Sequence, residues 1–154
     1  METNRICEII DLKSVLPEEF KYNVPPTFVI IIRKLLTPEE ANALYEEQQA
    51  LDWDNKYYDT RRKKVLNKRR RHNLMYADEG QEPDYENKKG RIIAWSDVPS
   101  LKQAVDRLKT LGGPKADNLV CEGNKYKKFE KKTNVGIGWH GDSERKKGFA
   151  IKCG

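Results

Sequence analysis

The sequence predicts a mixed α+β domain in which helices come first and sheet follows. Three observations carry that expectation. Residues 27–33 (TFVIIIR) form a β-branched, apolar run; two later segments show capped helical periodicity; and from Leu119 onward the composition turns strand-like.

Residues 1–26 hold one short apolar segment and close on Val24-Pro25-Pro26, which cannot continue a helix. They read as an irregular or strand-like extension ahead of a domain spanning 27–154. The TFVIIIR run then reads as a buried strand. Thr37-Pro38-Glu39-Glu40 is a helix start: Thr37 can cap, Pro38 suits the first helical position, and Glu40 completes a capping box. Ala41, Leu44, Tyr45, Gln48 and Leu51 follow at helical spacing, giving one stripe that ends near Trp53.

Asn73-Leu74-Met75-Tyr76 has the composition of a short strand, and residues 77–89, polar and holding Gly80 and Pro83, that of a loop. Residues 91–95 suggest another strand. Ser96-Asp97-Val98-Pro99 introduces a second helix with Leu101, Ala104, Val105, Leu108 and Leu111 on its inner face, and Gly112-Gly113-Pro114 stops it. Beyond it, Leu119-Val120-Cys121 leads into a strand through Asn124 and Tyr126. Residues 127–132 resemble a hairpin tip, and residues 135–139 and 149–153 are two further strand candidates. The last of these has no partner written after it, which suggests a fragment of a longer product.

At 154 residues the chain suits one domain, and with 37% hydrophobic against 35% charged residues its core must be modest. The net charge of +6 favours an anionic partner. Its distribution says more, because eight of the eleven residues from 61 to 71 are basic: Arg61, Arg62, Lys63, Lys64, Lys68, Arg69, Arg70 and Arg71. A second run, Lys125, Lys127, Lys128, Lys131 and Lys132, lies further on. Such a field attracts nucleic-acid phosphates through counterion release; it equally suits a solvated charged face or a localisation signal. Cys7, Cys121 and Cys153 form neither a disulfide ladder nor a zinc pattern. With no membrane-length apolar stretch and no secretory signal, an intracellular setting, cytoplasmic or nuclear, is expected.

The residues that carry chemistry lie in Gly136-Ile137-Gly138-Trp139-His140-Gly141-Asp142-Ser143-Glu144. His140 and Asp142 are two apart, so on a strand both side chains leave one face. An imidazole and a carboxylate so placed can occupy adjacent corners around a metal ion, and a distal His would complete the facial triad of non-haem Fe(II) oxygenases. A His-x-Asp tripeptide alone is equally good chemistry for a surface turn.

The run NVGIGWHGDSERK, preceded by Asn124-Lys125-Tyr126, resembles the AlkB-like branch of the 2-oxoglutarate- and Fe(II)-dependent dioxygenases. The likeness covers residues 74–154 and is sharpest over 124–146. Residues 71–78 (RHNLMYAD) are similar to the family's strand ahead of its substrate loop. The resemblance implies an incomplete double-stranded β-helix, jelly-roll or cupin-like, with amino-terminal helices packed on the sheet. It also implies Fe(II), 2-oxoglutarate and dioxygen as cofactors and co-reactant. His140 and Asp142 would be metal ligands, and Asn124 and Tyr126 donors toward 2-oxoglutarate, although alternate polar and aromatic strand positions explain that pair as well. Glu144 would lie near the substrate or in solvent, and Trp139 would pack.

Two departures stand out. The interval from Tyr126 to His140 is long and lysine-rich. The family's third ligand and cosubstrate arginines lie downstream of His-x-Asp, whereas His72, the other histidine, precedes it and sits among basic neighbours that suggest an exposed or phosphate-facing residue. The chain is therefore expected to be an incomplete amino-terminal portion, inactive alone. The full protein would hydroxylate or oxidatively demethylate nucleic-acid bases, the alkyl carbon of a methyl leaving as formaldehyde. Tyr57, Tyr58 and Tyr76 could stack on bases or simply pack. The alternatives are a non-catalytic basic nucleic-acid-binding module and a protein hydroxylase of the same superfamily.

Overall fold

The computed structural model describes residues 7–22, 25–126 and 148–152. The chain separates into two units, residues 1–40 and 41–154.

In the first unit β1 (Cys7–Asp11) pairs antiparallel with β2 (Phe28–Ile32), in register from Cys7 opposite Ile32 to Asp11 opposite Phe28. The amino-terminal extension thus contains a strand that pairs with the TFVIIIR run. Between them Asp11 caps the single turn α1 (Leu12–Val15), its Oδ1 accepting from the Lys13 N–H at 2.9 Å. The Arg33 guanidinium forks onto Glu8 at 2.5 and 3.1 Å across the ribbon, and that contact holds the Glu8 carboxyl below its ordinary range. The expectation of a buried strand is corrected here. Ile30 is 63% exposed and its cross-strand partner Ile9 is 70% exposed. The run's composition is that of a core strand, but among the described residues β1 and β2 pair only with each other, as a two-stranded ribbon.

The capping box forms as read: the Glu40 N–H donates to Thr37 Oγ1 at 3.2 Å, and the Thr37 N–H donates to Glu40 Oε2 at 2.9 Å. It starts α2 (Pro38–Ala50), which buries Leu44 but leaves Tyr45 exposed, so the inner stripe is narrower than the sequence suggests.

The second unit is organised by a three-stranded sheet in the order β6, β5, β7. Its centre is β5 (Arg71–Ala77). On one side β6 (Ile92–Ala94) runs parallel to it, and on the other β7 (Cys121–Tyr126) runs antiparallel, from Arg71 opposite Tyr126 to Tyr76 opposite Cys121. Alternation along β5 sends Leu74 and Tyr76 to one face, where both are buried. There the Tyr76 hydroxyl donates to Gln48 Oε1 of α2 at 2.5 Å, and its ring stacks on Trp95 with centroids 5.8 Å apart. Gly123 of β7 has to be glycine at this point. A Cβ would lie 2.7 Å from the Tyr76 hydroxyl and 2.9 Å from the Trp53 ring.

Val98, Leu101, Ala104 and Ala116 complete the core from α3 (Pro99–Gly112) and its flanks. Val98 cannot cap this helix with its side chain. Glu47 of α2 does so instead, accepting from the Ser100 and Leu101 N–H groups at 2.8 and 3.0 Å. The helix ends at Gly113, whose φ of +54° suits glycine.

A hairpin occupies the basic region, where the sequence suggested no element. Strands β3 (Lys56–Asp59) and β4 (Lys64–Asn67) pair antiparallel. Asp59 Oδ1 shapes the turn by accepting from the N–H groups of Arg61 and Arg62 at 3.0 and 2.8 Å. The expected strand over 149–153 does not form in its described part, residues 149–152. Phe149 instead places its ring against the α3 end at Gly112. Residues 127–147, with the expected hairpin tip and the strand at 135–139, lie outside the described residues. The described sheets are small and open rather than a closed barrel, and no described helix is long and apolar enough to cross a membrane.

Candidate functional site

The sheet has two unlike faces. The helix-covered face carries His72, Leu74 and Tyr76 of β5 with Cys121, Gly123 and Lys125 of β7. The opposite face carries Arg71, Asn73 and Met75 with Glu122, Asn124 and Tyr126. Asn124 lies directly across from Asn73, and Tyr126 across from Arg71. Both Asn124 and Tyr126 are exposed. The two residues singled out as cosubstrate donors therefore share one open, polar face. His72 is half-buried on the other face, which corrects the expectation of an exposed side chain.

Asn73 and Met75 also floor a cleft of about 210 Å³. Its walls are the β3–β4 hairpin, through Lys56 and Tyr58, and the turn at residues 84–91. Asp54 holds these parts together from below and is 4% exposed. Its Oδ1 accepts from the Tyr85 hydroxyl at 2.6 Å and its Oδ2 from the Arg91 N–H at 2.7 Å, while its backbone bridges to Asn73. Burial first, and then the bond to Asp54, pushes the Tyr85 hydroxyl well up from its ordinary value.

The turn is closed by reciprocal backbone bonds between Asp84 and Lys89 at 2.9 and 3.0 Å. The Asp84 carboxylate accepts from the Asn87 side-chain amide at 2.7 Å, which lowers its pKa. Arg91 is committed to carboxylates, at 2.9 Å from both Glu82 and Asp52. Lys88, at a φ of +62°, sets its ammonium 5.5 Å from the centre of the Tyr58 ring. Lys68 donates to the Asn73 side-chain oxygen. Burial depresses the pKa of its ammonium, with Arg71 adding in the same direction against Asp54 and Glu122.

The basic run is thus divided by the fold. Arg61, Arg62, Lys63 and Lys64 lie exposed at the hairpin tip, and Arg69 and Arg70 are exposed ahead of β5. Lys68 and Arg71 turn toward the cleft side. Of the candidate tyrosines, Tyr57 and Tyr58 line the cleft, Tyr57 being 41% exposed, and Tyr76 is a core residue. His140 and Asp142, with Trp139 and Glu144, lie outside the described residues. Among the described residues no group of three His, Cys, Asp or Glu side chains is placed to hold a metal ion.

Over 148 residues the chain is 33% identical to an uncharacterised protein of Acanthamoeba polyphaga mimivirus. It is similar to a mimivirus protein. The alignment takes in 96% of this chain and 56% of the viral protein, so the chain spans little more than half the length of that relative. No family model matches the chain, and no solved structure does.

Sequence reasoning missed Asp54, Tyr85 and Lys88. Their separations, 31 residues for the Asp54–Tyr85 bond and 37 for Asp54–Arg91, have no periodic signature. The one available hint was a turn composition, Asp84 to Lys89, facing a basic and aromatic segment.

Proposed function

We propose that this chain forms the amino-terminal part of an AlkB-like, 2-oxoglutarate- and Fe(II)-dependent dioxygenase acting on nucleic-acid bases. The observation that carries the reading is the shared open face of Asn124 and Tyr126, on the strand that leads toward His140-Gly141-Asp142. An amide and a phenol hydroxyl two positions apart can both donate to a carboxylate lying over that face. Their exposure in β7 fits that role, and the helix-packed opposite face would hold the strand rigid beneath the cosubstrate. In this reading the sheet belongs to a double-stranded β-helix whose interior is the Asn124 side.

His140 and Asp142 would hold the iron, two donors of an imidazole and carboxylate set suited to Fe(II). When bound, iron and 2-oxoglutarate supply oxidation of a substrate carbon by dioxygen. The chain's own contribution is to hold the nucleic acid. The tip arginines and lysines at 61–64 would bear on the phosphate backbone and steer single-stranded substrate toward the open face.

The test is succinate formation by the full-length protein on methylated single-stranded oligonucleotides. Wild type is expected to form succinate in an Fe(II)-dependent way, and His140→Ala or Asp142→Ala to reduce it at least a hundredfold, as loss of a catalytic metal ligand does. Equal turnover in both variants would remove the metal assignment. Absence of succinate together with intact oligonucleotide binding would leave a non-catalytic binding module.

A further inference from the structure

Four lysines line the cleft, Lys56, Lys68, Lys88 and Lys89. The carboxylate beneath them, Asp54, has both oxygens engaged by Tyr85 and Arg91. Among the described residues no ion pair reaches Lys56, Lys88 or Lys89. Cations gathered along one cleft repel one another, Asp54, Asp84 and Glu122 offset them only in part, and burial disfavours the charged form of Lys68. The lining, with four lysines and Arg91 against Asp54, is therefore short of counter-charge. An anion entering the cleft would supply it.

The walls narrow the choice of anion. Tyr58 and Tyr85 give the cleft aromatic surface, and Lys88 is held across the Tyr58 ring by a left-handed backbone that a lysine adopts only at a cost. Strain of that kind persists where the surrounding structure over-determines it, and here the Asp84–Lys89 closure does so. A ligand with a planar ring and a phosphate would use both kinds of wall. A cleft of about 210 Å³ has room for part of one nucleotide and none for a duplex.

We infer that this cleft is a subsite for a single nucleotide unit of a single-stranded nucleic acid, its phosphate received by Lys56, Lys88 and Lys89 and its base set against Tyr58. The inference rests on the nucleic-acid part of the proposed function but not on its iron chemistry. It assigns the cleft to gripping the strand, so binding here needs neither Fe(II) nor 2-oxoglutarate.

The experiment is fluorescence anisotropy of the whole chain with a labelled oligothymidylate of about ten nucleotides, in the absence of metal and cosubstrate. Lys88→Asn with Lys89→Gln removes two charges, and asparagine tolerates the left-handed backbone. This pair should weaken binding roughly tenfold and flatten the salt slope by about 1.4, the single-strand value for two phosphate contacts. Tyr58→Leu keeps apolar bulk but loses the ring; it should also cost roughly tenfold, with the salt slope unchanged. Far-ultraviolet circular dichroism checks that each variant folds, and the lysine pair stands as the test if Tyr58→Leu does not. Wild-type affinity in the folded variants would overturn the inference, as would a duplex binding equally well or polyglutamate displacing the oligonucleotide equally well. Loss of succinate formation in His140→Ala with unchanged oligonucleotide binding leaves the inference intact, so failure of the cleft and failure of the oxygenase reading are told apart.

Discussion

Asp54 shows how one side chain can fix a site. It is the buried polar residue of the described structure, and its two oxygens satisfy a phenol and a backbone amide from a turn more than thirty positions away. Without it the Tyr85 hydroxyl and the Arg91 N–H would face one another with no acceptor. Leaving buried donors unsatisfied costs far more than the net gain of making the bonds. Asp54→Ala is expected to destabilise the second unit by about 3 kcal/mol, read as a lowered urea midpoint. Asp54→Asn keeps one acceptor oxygen and should lose about half as much. A midpoint within error of wild type in Asp54→Ala would mean that the turn at 84–91 is held by something else. No feature of the sequence marks this residue, since Trp53-Asp54-Asn55 reads as the polar end of a helix. Its importance arises from tertiary contacts alone.

At the level of elements, legibility follows how local the cause is. The Thr37–Glu40 capping box and the helix at 99–112 were readable because cap, stripe and stop all lie within a few residues of one another. The mixed α+β class followed from the same signals, as did the strands at 73–76, 91–95 and 121–126. The β3–β4 hairpin was not readable, because lysine and arginine are poor strand markers and Val65-Leu66 is too short a run to outvote them. The TFVIIIR run was read as a strand but not as an exposed one, because burial depends on what pairs beside it. Of the candidate site, the His140 and Asp142 pair was visible as a motif, whereas the cleft joins parts no pattern connects. The start of α3 combines both cases. Val98-Pro99 announces the helix, but its cap comes from Glu47, more than fifty positions upstream. Glu47→Ala should therefore weaken the α2–α3 junction by about 2 kcal/mol, since two charge-assisted bonds to helix N–H groups are lost. Hydrogen exchange at Ser100 and Leu101 should rise with it. Unchanged exchange at those amides would show the cap to be dispensable.

The second unit sets its sheet between a closed face and an open one; burial on the closed face, together with the raised Tyr85 hydroxyl beside the cleft, shapes its alkaline response. Burial pushes the Cys121 thiol up to about 11 and the Tyr76 hydroxyl well above its ordinary value; Lys109 only partly offsets the effect on the thiol. Both are acids that the fold keeps neutral. In the unfolded chain they ionise at their ordinary values of 9.0 and 10.0. As pH rises past 9 the unfolded chain therefore gives up protons that the folded chain retains, and stability falls with pH. Below that point both states hold the protons and these groups contribute no slope. The urea midpoint under reducing conditions should accordingly be level to about pH 9 and then decline, with a loss on the order of 1–2 kcal/mol by about pH 11 once partial solvent access is allowed for. Replacing Cys121 with alanine should flatten the first part of that decline, between about pH 9 and 10, because the tyrosine begins to contribute only as pH passes 10. A midpoint that holds steady to pH 11 in the wild type would mean that solvent reaches the Cys121 face of the sheet, and the division of β5 and β7 into a packed side and a binding side would fail with it.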